Sequence, residues 1–502
     1  MRIAFVNPHG NFDPGNSHLA AHPDFGGQLV YVREVARALS GLGHEVDILT
    51  RRIVDPEWPE FEGKTDSYPD FDNIRILRFR CGPDEFLPKE DLWPHLGDWV
   101  GRIAEFYRDE GVWPDLWTGH YADGGLCAAL LEEESGVPFT FTGHSLGASK
   151  LDFLMRETGE TNGGALAALD VRYRFGVRIS AERAAMARAT AIVTNSSVER
   201  YEQYSHAAYR DAAGEADERY AVIPPGVNPD IFGPETLSPW EDEVRKKIQA
   251  SLERDIFAER RRLPAVIAWS RLDPKKNHLA LVRAFAVEPA LREKANLVMI
   301  TRGLEDPLRE IPPQNGGQRE VIQTLVDEID REDLWGSVSA FSLSGQTVLA
   351  ALYRWGAAGG GVFCLPAEHE PFGMAVIEAM AVGLPVVATS NGGPTEITAN
   401  GRAGLLADPT DPADIARQLL RLLDDRETWQ AYAGRGLERV AKNYHWRRTA
   451  EGYLNLAKHA RQKPPAPGGH QIPIPDYFRK PTEEGIPRLQ GWTSSGPDIE
   501  IS

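Results

Sequence analysis

Hydrophobic and polar positions follow two alternating periods along most of the chain. Residues Arg2 to Asn7, "RIAFVN", form a nearly unbroken apolar run, the mark of a strand buried on both faces. A Gly/Pro/Asn/Asp-rich loop from Pro8 to Gly27 follows. Then Val32, Val35, Ala36 and Leu39 fall at i, i+3, i+4 and i+7 within Gln28 to Gly43, which predicts an amphipathic helix stopped by glycine. "EVDILT" (Glu45 to Thr50) is the next strand. Strand, helix and strand make a βαβ unit and hence a parallel sheet. "DLWTGH", "PFTFTGH" and "AIVTNS" (Ala191 to Ser196) extend the series until "AVIPPGVNPDIF" (Ala221 to Phe232) interrupts it with three prolines and a glycine. That composition predicts an interdomain linker. A second series follows, with strand-like runs at Ala265–Ser270, Ala295–Ile300, Gly361–Pro366 and Pro385–Ser390. Trp446 to Ala460 is a last amphipathic helix. From Lys463 onward "KPPAPGGHQIPIP" has no periodicity and predicts an extended or disordered tail.

The pattern predicts two doubly wound α/β domains, 1–226 and 227–445, with helix 446–460 packing back on the first and a Pro/Gly-rich tail over 461–502. Such pairs bind ligand in the cleft between them. A chain of 502 residues is too long for one ordinary core, which agrees with two domains. The formal charge of −18 argues against nucleic acid or an anionic membrane as partner. It leaves room for a small anion held by a local basic cluster. Three widely spaced cysteines, Cys81, Cys127 and Cys364, form neither a disulfide framework nor a metal knuckle. The first residues read as a strand rather than a signal peptide, and no window reaches the ~18 uncharged apolar residues of a membrane span. A cytoplasmic protein is expected; the oligomeric state is not legible.

Three stretches carry chemistry. In "PAEHEPFGMAVIEAMAVGLPVVATSNGGPTEI" (Pro366 to Ile397), Glu370 and Glu378 are separated by seven residues, and "PFG" leads from a strand into a helix. A helix start offers free N–H groups to an anion. A carboxylate beside it suits sugar hydroxyls and one deeper in the helix suits a ribose diol, although a capping and a solvated glutamate would give the same letters. In "WSRLDPKKNH" (Trp269 to His278), Arg271 and Lys276 leave a strand together and can converge on phosphate, or form an exposed basic loop. In "HPDFGGQLV" (His22 to Val30), Gly26 and Gly27 open the first helix and permit close backbone approach; the spacing is not that of a dinucleotide fingerprint.

Together with "NPHGNFDP", "FLPKEDLWP", "FTGHSLG" and "VIPPGVN", these runs resemble the retaining GT-B glycosyltransferases with the E-x7-E signature, and among them the sucrose-phosphate synthases, from residue 1 to about 460. The chain departs from the usual form by inserting Ala367 between Pro366 and Glu368. The resemblance implies a GT-B fold of two Rossmann-like domains. It also implies transfer of glucose from UDP-glucose to fructose 6-phosphate with retention, giving sucrose 6-phosphate and UDP without cofactor or essential metal. It implies donor contacts at Gly27, Arg271, Lys276, Phe372, Gly373, Met374 and Glu378. His144, Arg271, Lys276 and Glu370 would be catalytic. Gly26, Gln28, Lys89, Tyr121 and Ser145 would meet the acceptor sugar, and Lys150 and Arg178 its phosphate. Sucrose synthases and mannosylfructose-phosphate synthases are similar alternatives.

Other motifs compete. "GHSLG" (Gly143 to Gly147) fits the G-x-S-x-G elbow of an α/β-hydrolase with Ser145 as nucleophile. An HGGG oxyanion motif is missing, and that reading leaves Glu370, Glu378 and the second domain unexplained. "DFD" (Asp70 to Asp72) matches D-x-D metal motifs but reads as a polar turn. "HYADGG" (His120 to Gly125) holds a His and an Asp without a second ligand pair and reads as a loop at a strand end.

Overall fold

The computed structural model describes residues 1–17, 26–158, 163–301, 303–310, 317–462 and 472–489. The chain divides into two compact units, Met1–Pro224 with Trp446–Ser502, and Pro225–His445.

The first unit is built on an eight-stranded sheet in the order β3-β4-β2-β1-β5-β6-β7-β8. Its strands are β1 (Arg2–Val6), β2 (Glu45–Arg52), β3 (Thr65–Asp66), β4 (Ile74–Arg80), β5 (Leu116–His120), β6 (Phe139–Thr142), β7 (Ala191–Thr194) and β8 (Tyr220–Val222). Every pairing is parallel except the short β3–β4 edge. The apolar run of the first strand is explained by position: β1 is flanked by β2 and β5, and Ile3 to Val6 are wholly buried. The second unit has a six-stranded, all-parallel sheet, β11-β10-β9-β12-β13-β14. Its strands are β9 (Ala265–Trp269), β10 (Asn296–Thr301), β11 (Val338–Ser342), β12 (Val362–Leu365), β13 (Val386–Thr389) and β14 (Leu405–Ala407). In order of appearance this is 3-2-1-4-5-6, the doubly wound Rossmann arrangement. In both sheets strand order reverses beside the unit's first strand, between β1 and β5 and between β9 and β12. Ligands of such sheets bind outside the strands' carboxyl ends at that point.

The structure adds to the sequence reading of several elements and corrects some of them. β14 is too short to stand out at three residues, and β11, five residues long, intersperses serine with apolar positions in place of an unbroken apolar run. Tyr220–Val222, which overlaps the first two residues of the stretch taken as linker, pairs as edge strand β8 on β7. "HYADGG" is a helix start: Tyr121 opens the helix Tyr121–Ser135 directly after β5. The helix Trp446–Gln462 belongs to the first unit, where Tyr31 packs edge-on to Trp446 at 5.5 Å and shares a 3.2 Å hydroxyl contact with Tyr453.

The largest correction concerns the tail. Residues 463–471 and 490–502 lie outside the described residues, but 472–489 are ordered against the first unit. Ile474, Tyr477, Phe478 and Leu489 are each less than 10% exposed and belong to the same core as the sheet. Prolines deny this segment a regular backbone, so no period appears; its apolar side chains are buried nonetheless.

Candidate active site

Each unit gathers polar side chains at its own strand ends. In the second unit, the chain leaves β9 through Ser270 and Arg271, and Asp273 caps a one-turn 3-10 helix, Pro274–Lys276, through Lys275 N–H at 3.1 Å. Asn277, at φ 54°, turns into the helix His278–Val287, and its amide donates to the carbonyls of Pro366 (3.0 Å) and Pro409 (2.8 Å). This ties the β9 loop to the β12 loop. Lys276 Nζ consequently reaches Glu370 Oε2 at 2.7 Å, with both side chains at least four-fifths buried. Arg271 is exposed, and no ion pair is described for it. Behind them His278 Nε2 lies 3.0 Å from Ser270 Oγ; burial, then the Lys276 charge, lowers its pKa to about 4.

Glycine builds the floor. Gly373 (φ 110°) precedes the helix Met374–Ala381, leaving that helix's first N–H groups facing the strand ends. Gly392 (φ 99°) bridges Glu370, and a Cβ there would sit 2.2 Å from the Glu370 carbonyl oxygen. A Cβ on Gly393 would sit 2.4 Å from the Phe372 oxygen. Glu370 N–H donates to Asn391 O at 3.1 Å, and Gly393 N–H returns to Glu370 O at 2.9 Å. Phe372 is buried against Tyr444, Met374 is half-buried, and Glu378, one turn into the helix, is 6% exposed. The structure thus joins Lys276, Glu370, Phe372 and Gly373 in one loop cluster. Asn391 to Gly393 went unassigned in the sequence; a Gly-Gly pair followed by a helix-starting proline was the available signal.

In the first unit, the loop after β1 is buried, with Asn7, His9, Asn11 and Asp13 each below 10% exposure. His9 Nδ1 pairs with Asp123 Oδ2 at 2.5 Å. His120, at the end of β5, is fully buried, with Nε2 2.9 Å from Thr118 Oγ1 and Nδ1 2.8 Å from His144 Nε2. The 5.0 Å centroid separation with so short an N···N contact means the two rings meet edge to edge. Burial pushes the His120 pKa well below its usual value and brings His144 to about 3, the latter aided by His9. Both imidazoles are therefore neutral at pH 7, with one hydrogen between them. Tyr121 (φ 62°) and His144 (φ 54°) hold left-handed backbones with rings 5.4 Å apart. Non-glycine residues adopt this conformation at a cost, and such outliers concentrate at functional sites.

The other acceptor-side residues divide. Gln28 is buried and donates to Asn7 Oδ1 at 2.7 Å. Gly26 caps and Gly27 starts the helix Gly27–Gly41, both exposed; the preceding His22 to Phe25 lie outside the described residues. Lys150 Nζ lies 4.4 Å over the Tyr173 ring. Lys89 sits in a 3-10 turn, 4.0 Å from Glu90, both half-buried. Arg178 is deeply committed: Nε meets Glu182 Oε1 at 3.0 Å and Nη2 donates to Ser145 O at 2.5 Å. Fully buried Glu182 also accepts Gly147 N–H at 3.0 Å and the Tyr209 hydroxyl. No described hydrogen bond joins Ser145 Oγ to a histidine, and the left-handed residue of the turn is His144, not Ser145. A hydrolase elbow lacks its base here. Sequence reading gave no site role to His9, nor to His120 and Asp123, which it read as part of a strand-end loop; His9 meets Asp123, and His120 meets His144, because β1, β5 and β6 end at one edge. Among the described residues no three His, Cys, Asp or Glu cluster as metal ligands, and no helix is long and apolar enough to cross a membrane.

Two Rossmann-like sheets with such strand-end sites define the GT-B class of glycosyltransferases. The family model "Glycosyltransferase Family 4" matches residues 25–231 and "Glycosyl transferases group 1" matches 251–439. A probable sucrose-phosphate synthase of Thermosipho melanesiensis is 39% identical over 96% of this chain and 99% of its own length. Sucrose-phosphate synthase 4 of Arabidopsis thaliana is 32% identical over 95% of this chain, which spans 49% of that relative. The structure of the Thermosynechococcus elongatus sucrose-phosphate synthase shares the fold, with a TM-score of 0.65 at 24% identity, covering 92% of this chain and 98% of that one. The chain belongs to the sucrose-phosphate synthase family.

Proposed function

We propose that the protein transfers glucose from UDP-glucose to fructose 6-phosphate with retention of configuration, giving sucrose 6-phosphate and UDP. The observation that carries the reading is the Lys276–Glu370 pair on a glycine-built floor at the switch point of the second sheet. Lys276 and exposed Arg271 would stabilise charge growing on the leaving diphosphate, so that no metal is required. The backbone of Phe372, Gly373 and Met374, at a helix start, would assist. Glu370, oriented by Lys276, would take glucose hydroxyls, and Glu378 the uridine ribose. Gly27 would approach the donor closely.

Neutral His144 would sit beside the transferred sugar as a hydrogen-bonding group, since its depressed pKa makes it no source of positive charge at pH 7. Gly26, Gln28, Lys89, Tyr121 and Ser145 would contact the acceptor sugar. Lys150, with the donors of Arg178 that Glu182 and Ser145 leave over, would hold its phosphate. Charge-assisted bonds of roughly 1.5–3 kcal/mol each would favour the phosphorylated acceptor by about a hundredfold. A cytoplasmic location is part of the same proposal.

The test is to incubate the purified protein with UDP-glucose and either fructose 6-phosphate or fructose, following UDP release and identifying the sugar product. Release with the phosphorylated acceptor alone, yielding sucrose phosphate, is expected. Equal use of fructose would move the reading to sucrose synthase, and no release with either would refute this donor–acceptor pair.

A further inference from the structure

The ordered part of the tail enters the first unit at two glycines, both near helix starts. At Gly97, in the helix Leu96–Glu110, an added Cβ would lie 2.7 Å from Phe478 O. At Gly176, in the helix Phe175–Arg188, it would lie 2.5 Å from Pro487 O and 2.6 Å from Leu489 N. In each case the obstruction is tail backbone. Neither glycine has a positive φ, so an alanine would suit the helix itself. Glycine at these two places serves the tail's approach rather than the helix's conformation.

Other contacts fasten the segment between these points. Phe478 is 1% exposed and lies 6.0 Å from the Trp93 ring. Arg479 Nη2 reaches Glu133 Oε2 at 2.6 Å, on the helix that Tyr121 opens. The second docking point is two residues from Arg178, whose guanidinium fixes the Ser145 carbonyl and the Glu182 carboxylate. Glu182 in turn holds Gly147 N–H. A shift of the start of this helix therefore moves the whole Gly143–Gly147 turn, including left-handed His144.

We propose that Ile472–Leu489 is a positioning strap: by clasping the starts of the helices Leu96–Glu110 and Phe175–Arg188, it holds the Arg178–Ser145–Gly147 turn in the geometry that the acceptor requires. This rests on the acceptor-side reading of that turn. The strap touches no reacting atom; it acts through Arg178 and Glu182.

Gly97→Ala and Gly176→Ala in the full chain test it, with Gly101→Ala as control. Gly101 lies on the same helix as Gly97, with nothing within 4 Å of an added Cβ. Helix propensity alone favours alanine at all three sites, so a strap of no consequence would leave all three alike. Expected for Gly176→Ala is trypsin cleavage after Arg479 and Arg488 faster by about tenfold, and an acceptor KM raised about fivefold with the donor KM within about twofold. Gly97→Ala should share the cleavage effect with a smaller change in acceptor KM, and Gly101→Ala should show neither. The proposal is overturned if Gly176→Ala behaves like Gly101→Ala, or if both KM values move together. Should the wild-type protein turn over no acceptor at all, the functional reading falls by itself, while the cleavage comparison still decides whether the segment is a strap.

Discussion

The two strand-end sites solve opposite problems with the same topology. The first unit's site is made of large side chains that are buried, neutral and mutually bonded: His120 with His144, Gln28 with Asn7, Arg178 cancelled by Glu182. The second unit's site is made of backbone, with Gly373, Gly392 and Gly393 bringing chain against chain, and of two cations, Arg271 exposed and Lys276 four-fifths buried and paired, among the described residues, to Glu370. A rigid surface of neutral imidazoles and amides suits recognition of shape and hydroxyl direction, with Lys150 and the remaining Arg178 donors left for a phosphate, whereas two cations beside helix N–H groups suit a diphosphate. The difference teaches that a doubly wound sheet fixes where ligands bind, while side-chain burial fixes what kind.

Breaking the cationic side should have the largest effect. Lys276→Ala is expected to lower kcat by about 10³-fold, near 4 kcal/mol, with the melting temperature nearly unchanged; a rate close to wild type would refute the role. On the other side, Glu182→Gln should cost stability and raise the acceptor KM rather than lower kcat. It leaves Arg178 buried without its carboxylate and weakens the bonds to Gly147 and Tyr209, for a loss of about 3 kcal/mol in urea unfolding. A cost below a few tenths of that would show the pair to be dispensable. Gly392→Ala should follow, at about 2 kcal/mol or more, because its φ of 99° strains any Cβ and the Glu370 carbonyl stands in the way. The donor KM should rise with it.

Acid should then separate the two chemistries. His120, His144 and His278 all have folded pKa values below that of the unfolded chain, the last two at about 3 and about 4. Between those values and about 6.5 the unfolded state binds protons that the native state does not. Their stabilisation is complete above that range and lost as pH falls through it, at about 2 kcal/mol for buried His278 by pH 5. Glu199, raised to about 7 by burial, works in the opposite sense and offsets one of them. The melting temperature is therefore expected to fall from pH 7 to pH 5; a rise would contradict the neutral-histidine description. The smallest effect belongs to Ser145→Ala, less than about tenfold on transfer, with no hydrolysis of a chromogenic ester before or after. Loss of ester cleavage on that substitution would revive the hydrolase reading.

Much of the fold was legible because its central strands are buried on both faces and so leave unbroken apolar runs, as in Arg2–Val6 and Ala265–Trp269. Edge strands carry no such signal: Tyr220–Val222 and Leu405–Ala407 are short and border loops. The second unit's Lys276, Glu370 and Gly373 were legible because they lie in compact local runs. The first unit's His9–Asp123 and His120–His144 pairs were not, since their members are 114 and 24 residues apart and no local pattern links them.

By itself the sequence determined the class of the two domains, the strand ends from which chemistry would come, and the family to which the chain belongs. These follow from periodicity and short runs, which are local properties. Only the tertiary structure decided which polar groups are charged, which are cancelled by a buried partner, and that a tail without periodicity is folded in place. Burial and pairing depend on residues far apart in sequence, and no local composition encodes them.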